Sequence, residues 1–230
     1  MSKTLPMFMT DERGAVDPYR IAHKGIRVTL ARLMEASGRA DFADPRARDQ
    51  IRHECLEAVH LLRTHARLEA LFLDPLLAAC AAEGARSAHA KLESELFSLV
   101  LDFDPPSQCE VSIPDARAHG HRFYIALSRL VAHYLLHMAE EETRVLALLH
   151  EHTEDEVLLR MMLAAQSTMS AEETAMTSAA IAEGIAPHER ESIVEARALR
   201  DHATSSRRPS ARPPMRASGS PRGVRSNRHV

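Results

Sequence analysis

The sequence predicts an all-α protein, and three observations carry that expectation. Aromatic residues make up 4% of the 230 residues, Trp is absent and Gly numbers only 8, while 45% of the side chains are hydrophobic. That composition suits a sizeable core built mainly from aliphatic helix formers. Apolar residues recur three and four positions apart over four long stretches, and no stretch alternates as a strand would. The breaks between the stretches are short enough for antiparallel neighbours.

Taken in order, Asp17-Pro18 reads as an N-cap followed by proline at the first helical position, opening a helix that runs to about Ser37-Gly38. Tyr19, His23, Ile26, Leu30 and Leu33 share one face of it. Asp44-Pro45 repeats the start signal, and helical periodicity then persists to about Ala82 and Gly84, with Pro75 expected to kink it. A third helix spans about Ala85 to Leu101, ahead of Pro105-Pro106, with His89, Leu92, Glu93, Leu96 and Val100 along one side. Ser112 to Pro114 opens the fourth, which continues to about His150. Thr153 with Glu156 and Ser170 with Glu173 read as capping boxes, and Pro187 starts a last helix that fades near His202. The methionines Met161, Met162, Met169 and Met176 read as adaptable packing that covers the main helices or a second copy of the chain.

The expected organisation is therefore an N-terminal arm over 1–16, a main helical unit over 17–150, a helical extension over 151–202 and a tail over 203–230. Seven arginines and no acid lie in the tail, leaving 22 basic against 32 acidic groups, a net of -10, in residues 1–202. Ser, Pro, Gly and Arg dominate the tail, so its composition predicts disorder. Without interleaved aromatics it reads as solvated or lying on the acidic body rather than as a nucleic-acid contact. No apolar run is long enough for a membrane helix, and the start MSKTLPMFMTDERG lacks a signal-like apolar stretch, so the expected location is cytoplasmic and no membrane partner is expected. Cys55, Cys80 and Cys109 are too scattered for a disulfide framework or a zinc knuckle.

Two inward polar pairs stand out. LLRTHARLEALFLDPLL, residues 61 to 77, sets His65 and Glu69 four apart on the face of Ala58, Leu62, Phe72 and Leu76, while Arg63, Thr64, Arg67 and Asp74 fall on other sides. LVAHYLLHMAEEETRVLALL, residues 130 to 149, does the same with His137 and Glu141 beside Leu130, Tyr134 and Leu148. His23 and His89 occupy matching mid-helix positions on the other two helices, and His89 stands one turn from Glu93. Four imidazoles and at least two carboxylates in a core without a cation would leave several buried polar groups uncompensated, at a few kcal/mol each or about that order. Such a donor set without thiolate fits iron, manganese or zinc, and two carboxylates that bridge favour a pair of ions roughly 3.5 to 4 Å apart.

The order His23, His65-x3-Glu69, His89, His137-x3-Glu141 resembles the hemerythrin-like (HHE cation-binding) domain of the bacterial type over residues 17 to 150, with HARLEALFLDPL and HMAEEETRVLAL similar to its paired signature. The resemblance implies an up-down-up-down four-helix bundle around a non-haem di-iron centre, Glu69 and Glu141 bridging and the four histidines terminal. It also implies O2 or another small oxidant as partner. The oxygen-carrying members place a histidine where this chain has Glu93, so the set resembles the carboxylate-richer sites of iron- and oxygen-responsive members. Glu93 is thus a candidate ligand, and His133 and Tyr134 are candidates for the ligand set or its surroundings.

The other histidines read as solvated: His53 and His60 face outward, and His119, His121, His150, His152, His188, His202 and His229 sit at ends or in tails. Glu57-x2-His60 supplies only one outward half of a ferritin-like pattern. A Gly-rich phosphate loop is missing, and no Ser or Cys nucleophile has a motif around it, so the leading expectation is a protein that binds or senses iron, dioxygen or a related oxidant rather than an enzyme. The alternatives are a di-iron enzyme acting on peroxide or ferrous iron and a metal-poor helical interaction module. The C-terminal helices offer a surface for a homo-oligomer.

Overall fold

A computed structural model describes residues 10–79, 84–103 and 112–193, apart from 12 and 192. Expectations for Cys80, Cys109, Pro105-Pro106, the start of the arm and the tail over 203–230 lie outside the described residues. The chain is all-α: α1 Arg20–Arg39, α2 Pro45–Phe72, α3 Asp74–Ala79, α4 Gly84–Phe103, α5 Ile113–Glu140, a π-helical turn Glu141–Val145, α6 Leu146–His152, α7 Asp155–Ser167 and α8 Ala171–Gly184. Among the described residues there is no strand, only an isolated bridge between Thr10 and Val16. No helix among them is long and apolar enough to cross a membrane.

Local signals set most boundaries. Asp17 accepts hydrogen bonds from the N–H groups of Tyr19 (2.9 Å) and Arg20 (3.0 Å), so it caps the first turn although regular helix begins three residues later. Asp44 accepts from Arg46 N with Pro45 at the first position, Ser112 accepts from Asp115 N, and Ser170 and Glu173 form the expected capping box. The Thr153 box does not form: Thr153 is extended, and Glu154 takes the cap position of α7 without a side-chain bond. α2 does not run on to Ala82 but breaks at Leu73, two residues before Pro75, which has no N–H to continue the ladder and opens a short α3.

The largest departure is in the fourth long helix. After Glu140 the backbone widens into a π turn, closed by the Leu146 N–H to the Glu141 carbonyl. One extra residue per turn moves the apolar stripe on by one position, so Leu149 is fully buried where Leu148 was expected. α5 thus carries one register before Glu141 and α6 another after it.

α1 packs against α2 and α5, α2 against α4, and α4 against α5. The extension docks onto this set: α8 lies along α1 and touches α2, and α7 packs on α2. At the α1/α8 crossing the backbones touch, because a Cβ on Gly25 would stand 2.8 Å from the Ala180 carbonyl carbon and one on Gly184 2.5 Å from that of Lys24. Buried Glu189, in the helical turn after α8, receives Lys24 Nζ at 2.5 and 2.7 Å and Arg20 Nε at 3.3 Å. α8 also covers Thr64, which lies off the His65/Glu69 face as expected but is buried there and donates to Glu173. Met176 packs on the main core and Met162 on a second one, as adaptable filler. Cys55 is buried in the main core, and burial pushes its thiol up to about 11.

The core is in two parts. The main cluster includes Ile26, Leu30, Leu62, Leu92, Leu96, Phe103, Phe123, Leu127, Tyr134 and Met138. The second gathers Val16, Tyr19, Leu73, Leu77, Val145, Leu146, Leu149 and Leu158. Between the main cluster and the residues of the second that flank α1, α2 and α5, the chain crosses a layer of histidines and glutamates.

Candidate metal centre

Helical spacing delivers that layer. On α1, His23 lies one turn from Tyr19 and one from Ile26, all three buried. On α2, His65 and Glu69 follow Leu62, and on the fourth helix His137 and Glu141 sit one turn apart at the entry to the π turn. α4 contributes His89, one turn before Leu92.

The side chains converge. His23, His65, Glu69 and Glu141 form one group and Glu69, His89, His137 and Glu141 another, with one ligand atom of each residue within 4.8 Å of the others in its group. Glu69 and Glu141 belong to both. His65 Nε2 lies 3.1 Å from Glu69 Oε1, His89 Nε2 3.0 Å from Glu69 Oε2 and 3.3 Å from Glu141 Oε1, and His137 Nε2 3.0 Å from Glu141 Oε1. His23 Nε2 stands 3.1 Å from His65 Nε2, 3.5 Å from Glu141 Oε2 and 3.9 Å from Glu69 Oε1. The His23 and His65 rings meet edge to face at 5.0 Å, as do His89 and His137 at 4.6 Å.

These groups are close without being satisfied. Both Glu69 oxygens, Glu141 Oε2, His89 Nδ1 and Nε2 and His137 Nε2 are buried and lack a hydrogen-bond partner among the described residues. Orphaned polar atoms of this kind are rare in folded interiors. Two donor atoms bound side by side to one ion, each about 2.0 to 2.2 Å from it, stand about 3 Å apart. The observed 3.0 to 3.3 Å gaps match that separation, and the residues present fit one or more cations.

Electrostatics point the same way. Burial opposes a charge on His23, but Glu142, Glu69 and Glu141 outweigh it and raise the ring to about 9. His89 is lifted to about 10 against burial by Glu141 and Glu69. Burial works against Glu69, yet His65, His23 and His89 hold its carboxyl well below the usual range. Glu141 is pushed up by burial and by Glu69 and pulled lower overall by His137 and His89. The raised rings of His23 and His89 and the lowered carboxyls of Glu69 and Glu141 thus stabilise one another's charge.

Three residues around His23 were not among the site candidates read from the sequence. Glu142, the second residue of the π turn, places Oε1 3.0 Å from His23 Nδ1, and Arg27 grips the same carboxylate at 2.6 and 2.8 Å. Burial opposes Glu142's charge, but His23 and Arg27 bring it down to about 2. Tyr19, buried against His23 with ring centroids 5.1 Å apart, has its hydroxyl pushed well above the usual range by burial and then by Glu69 and Glu141. The doublet Glu141-Glu142 and the i,i+4 spacing of His23 and Arg27 were the available signals.

Of the secondary candidates, Tyr134 is buried, and burial followed by Glu69 and Glu93 raises its hydroxyl. Glu93 is exposed and in neither group, because Leu92 and Leu96 fill the inward stripe of α4; it lines an open cleft with His89 and Tyr134. His133 is 42% exposed and pairs with Glu95 at 2.6 Å. Two histidines expected in solvent are not there: His150 meets the Val16 carbonyl at 2.8 Å, and His119 lies half-buried against Phe42. Compared with family models, curated proteins and solved structures, the chain has no match.

Proposed function

We propose that this chain is a non-haem di-iron protein of hemerythrin-like type that binds or senses iron, dioxygen or a related small oxidant. His23 and His65 would serve one ion, His89 and His137 the other, and Glu69 and Glu141 both. The single observation that carries the reading is the sharing of two buried carboxylates by two His/Glu groups, with both Glu69 oxygens, Glu141 Oε2 and the Nε2 atoms of His89 and His137 lacking a hydrogen-bond partner among the described residues. Nitrogen and oxygen donors without thiolate favour iron, manganese or zinc over copper. When bound, a pair of iron ions supplies a redox couple and coordination positions for a small oxidant. The chain's own part is to bind, to orient the imidazoles and to hold the layer between two apolar clusters.

An up-down-up-down arrangement of the four long helices agrees with how they cross the layer. α1 runs from the Tyr19 cluster to the Ile26 cluster and α2 returns from Leu62 to Leu73; α4 leaves the layer at Leu92, and α5 comes back through Tyr134 to Val145. The test is metal content after anaerobic reconstitution of the purified chain with ferrous iron. The reading expects about two ions per chain and ultraviolet ligand-to-metal bands on oxidation. Well under one ion per chain after reconstitution would refute it.

A further inference from the structure

We infer that Glu142, clamped by Arg27, is a positioning residue that fixes the ring of His23 for metal binding; the inference rests on the metal reading above. Its carboxylate is held ionised by two Arg27 contacts, at 2.6 and 2.8 Å, and so has no proton to give. The 3.0 Å contact to His23 Nδ1 therefore requires the hydrogen on Nδ1. In the neutral ring this leaves the lone pair on Nε2, the atom that faces His65, Glu69 and Glu141. A carboxylate behind an imidazole locks its orientation and strengthens it as a donor.

The contact is built by the backbone rather than met by chance. In an α-helix Glu141 and Glu142 would point about 100° apart, one inward and one along the flank. The π turn opens the helix at that pair, so Glu141 enters the layer while Glu142 reaches the far side of the His23 ring. Arg27, one turn after His23 on α1, holds Glu142 from the same helix that carries the ring. His89 offers the contrast: its Nδ1 is buried and has no partner among the described residues.

The experiment compares Glu142→Ala and Glu142→Gln with the parent chain, using ferrous iron alone under anaerobic conditions against a competing chelator. In the Ala variant one of the two binding steps should weaken about tenfold to a hundredfold while the other holds. The Gln variant keeps an acceptor for the Nδ1 hydrogen and should recover part of the loss. A second readout needs no metal: the hydrogen-bonded ring N–H resonance of His23 in the metal-free protein, assigned by its loss in His23→Gln, should vanish in Glu142→Ala and survive in Glu142→Gln. Parental affinity at both steps in Glu142→Ala, or an unchanged ring resonance there, overturns the inference while leaving the metal reading intact. A parent chain that takes up no ferrous iron overturns both.

Discussion

The two apolar clusters on either side of the histidine layer are built differently. The main cluster is closed by four long helices and α8, and includes Phe42, Phe103 and Phe123 in mutual ring contact at 4.8 to 5.9 Å. The second is assembled from ends and breaks: Val16 and Tyr19 ahead of α1, Leu73 and Leu77 at the Pro75 interruption, and Val145, Leu146 and Leu149 at and after the end of the π turn. The first would pack whatever filled the layer. The second is tied to the first through that layer, so charge compensation there should govern how firmly it is held. The difference separates helix periodicity, which makes the main core, from the site, which fastens the rest to it.

The sharpest way to break this contrast is to remove a shared carboxylate. Glu69→Ala and Glu141→Ala should each abolish iron occupancy at both positions and erase the iron-dependent stabilisation, which for the parent reaches about 4 kcal/mol when free iron exceeds its Kd about a thousandfold. Metal analysis and thermal unfolding with and without iron check this. Leu127→Ala, in the main cluster, should instead cost about 2 to 5 kcal/mol with and without iron and leave the stoichiometry unchanged. Denaturant titration of both forms reads that difference.

A smaller effect follows from pH. His23 is raised from 6.5 to about 9 and His89 from 6.5 to about 10, so their protons stabilise the metal-free fold fully below about 6.5. That contribution should fade as pH rises through 9 and 10. Bound iron displaces the same protons, so iron affinity should rise across this interval while the loaded protein stays flatter. Unfolding of both forms between pH 6.5 and 10 checks the sign.

Helix periodicity made much of this legible. The inward placement of His23, His65, Glu69, His137 and Glu141 followed from three- and four-residue spacing, because a helix face is a local property. What depended on a neighbour was not. Thr64 is buried only because α8 crosses over it, and Leu149 replaces Leu148 only because the π turn adds a residue, which no run of side-chain types announces. Glu93 has the same four-residue spacing from His89 that Glu69 has from His65, yet it stays exposed. The smallest predicted effect is therefore Glu93→His, which should leave iron stoichiometry at the parent's value and change stability by no more than about 0.5 kcal/mol. Iron titration and thermal unfolding of that variant suffice.

The central claim is that two ion positions share Glu69 and Glu141. Anomalous diffraction at the iron edge from crystals of the reconstituted protein tests it most directly. Two peaks roughly 3.5 to 4 Å apart are expected, flanked by both carboxylates, with His23 and His65 on one and His89 and His137 on the other. A single peak, or iron bound away from Glu69 and Glu141, would contradict it.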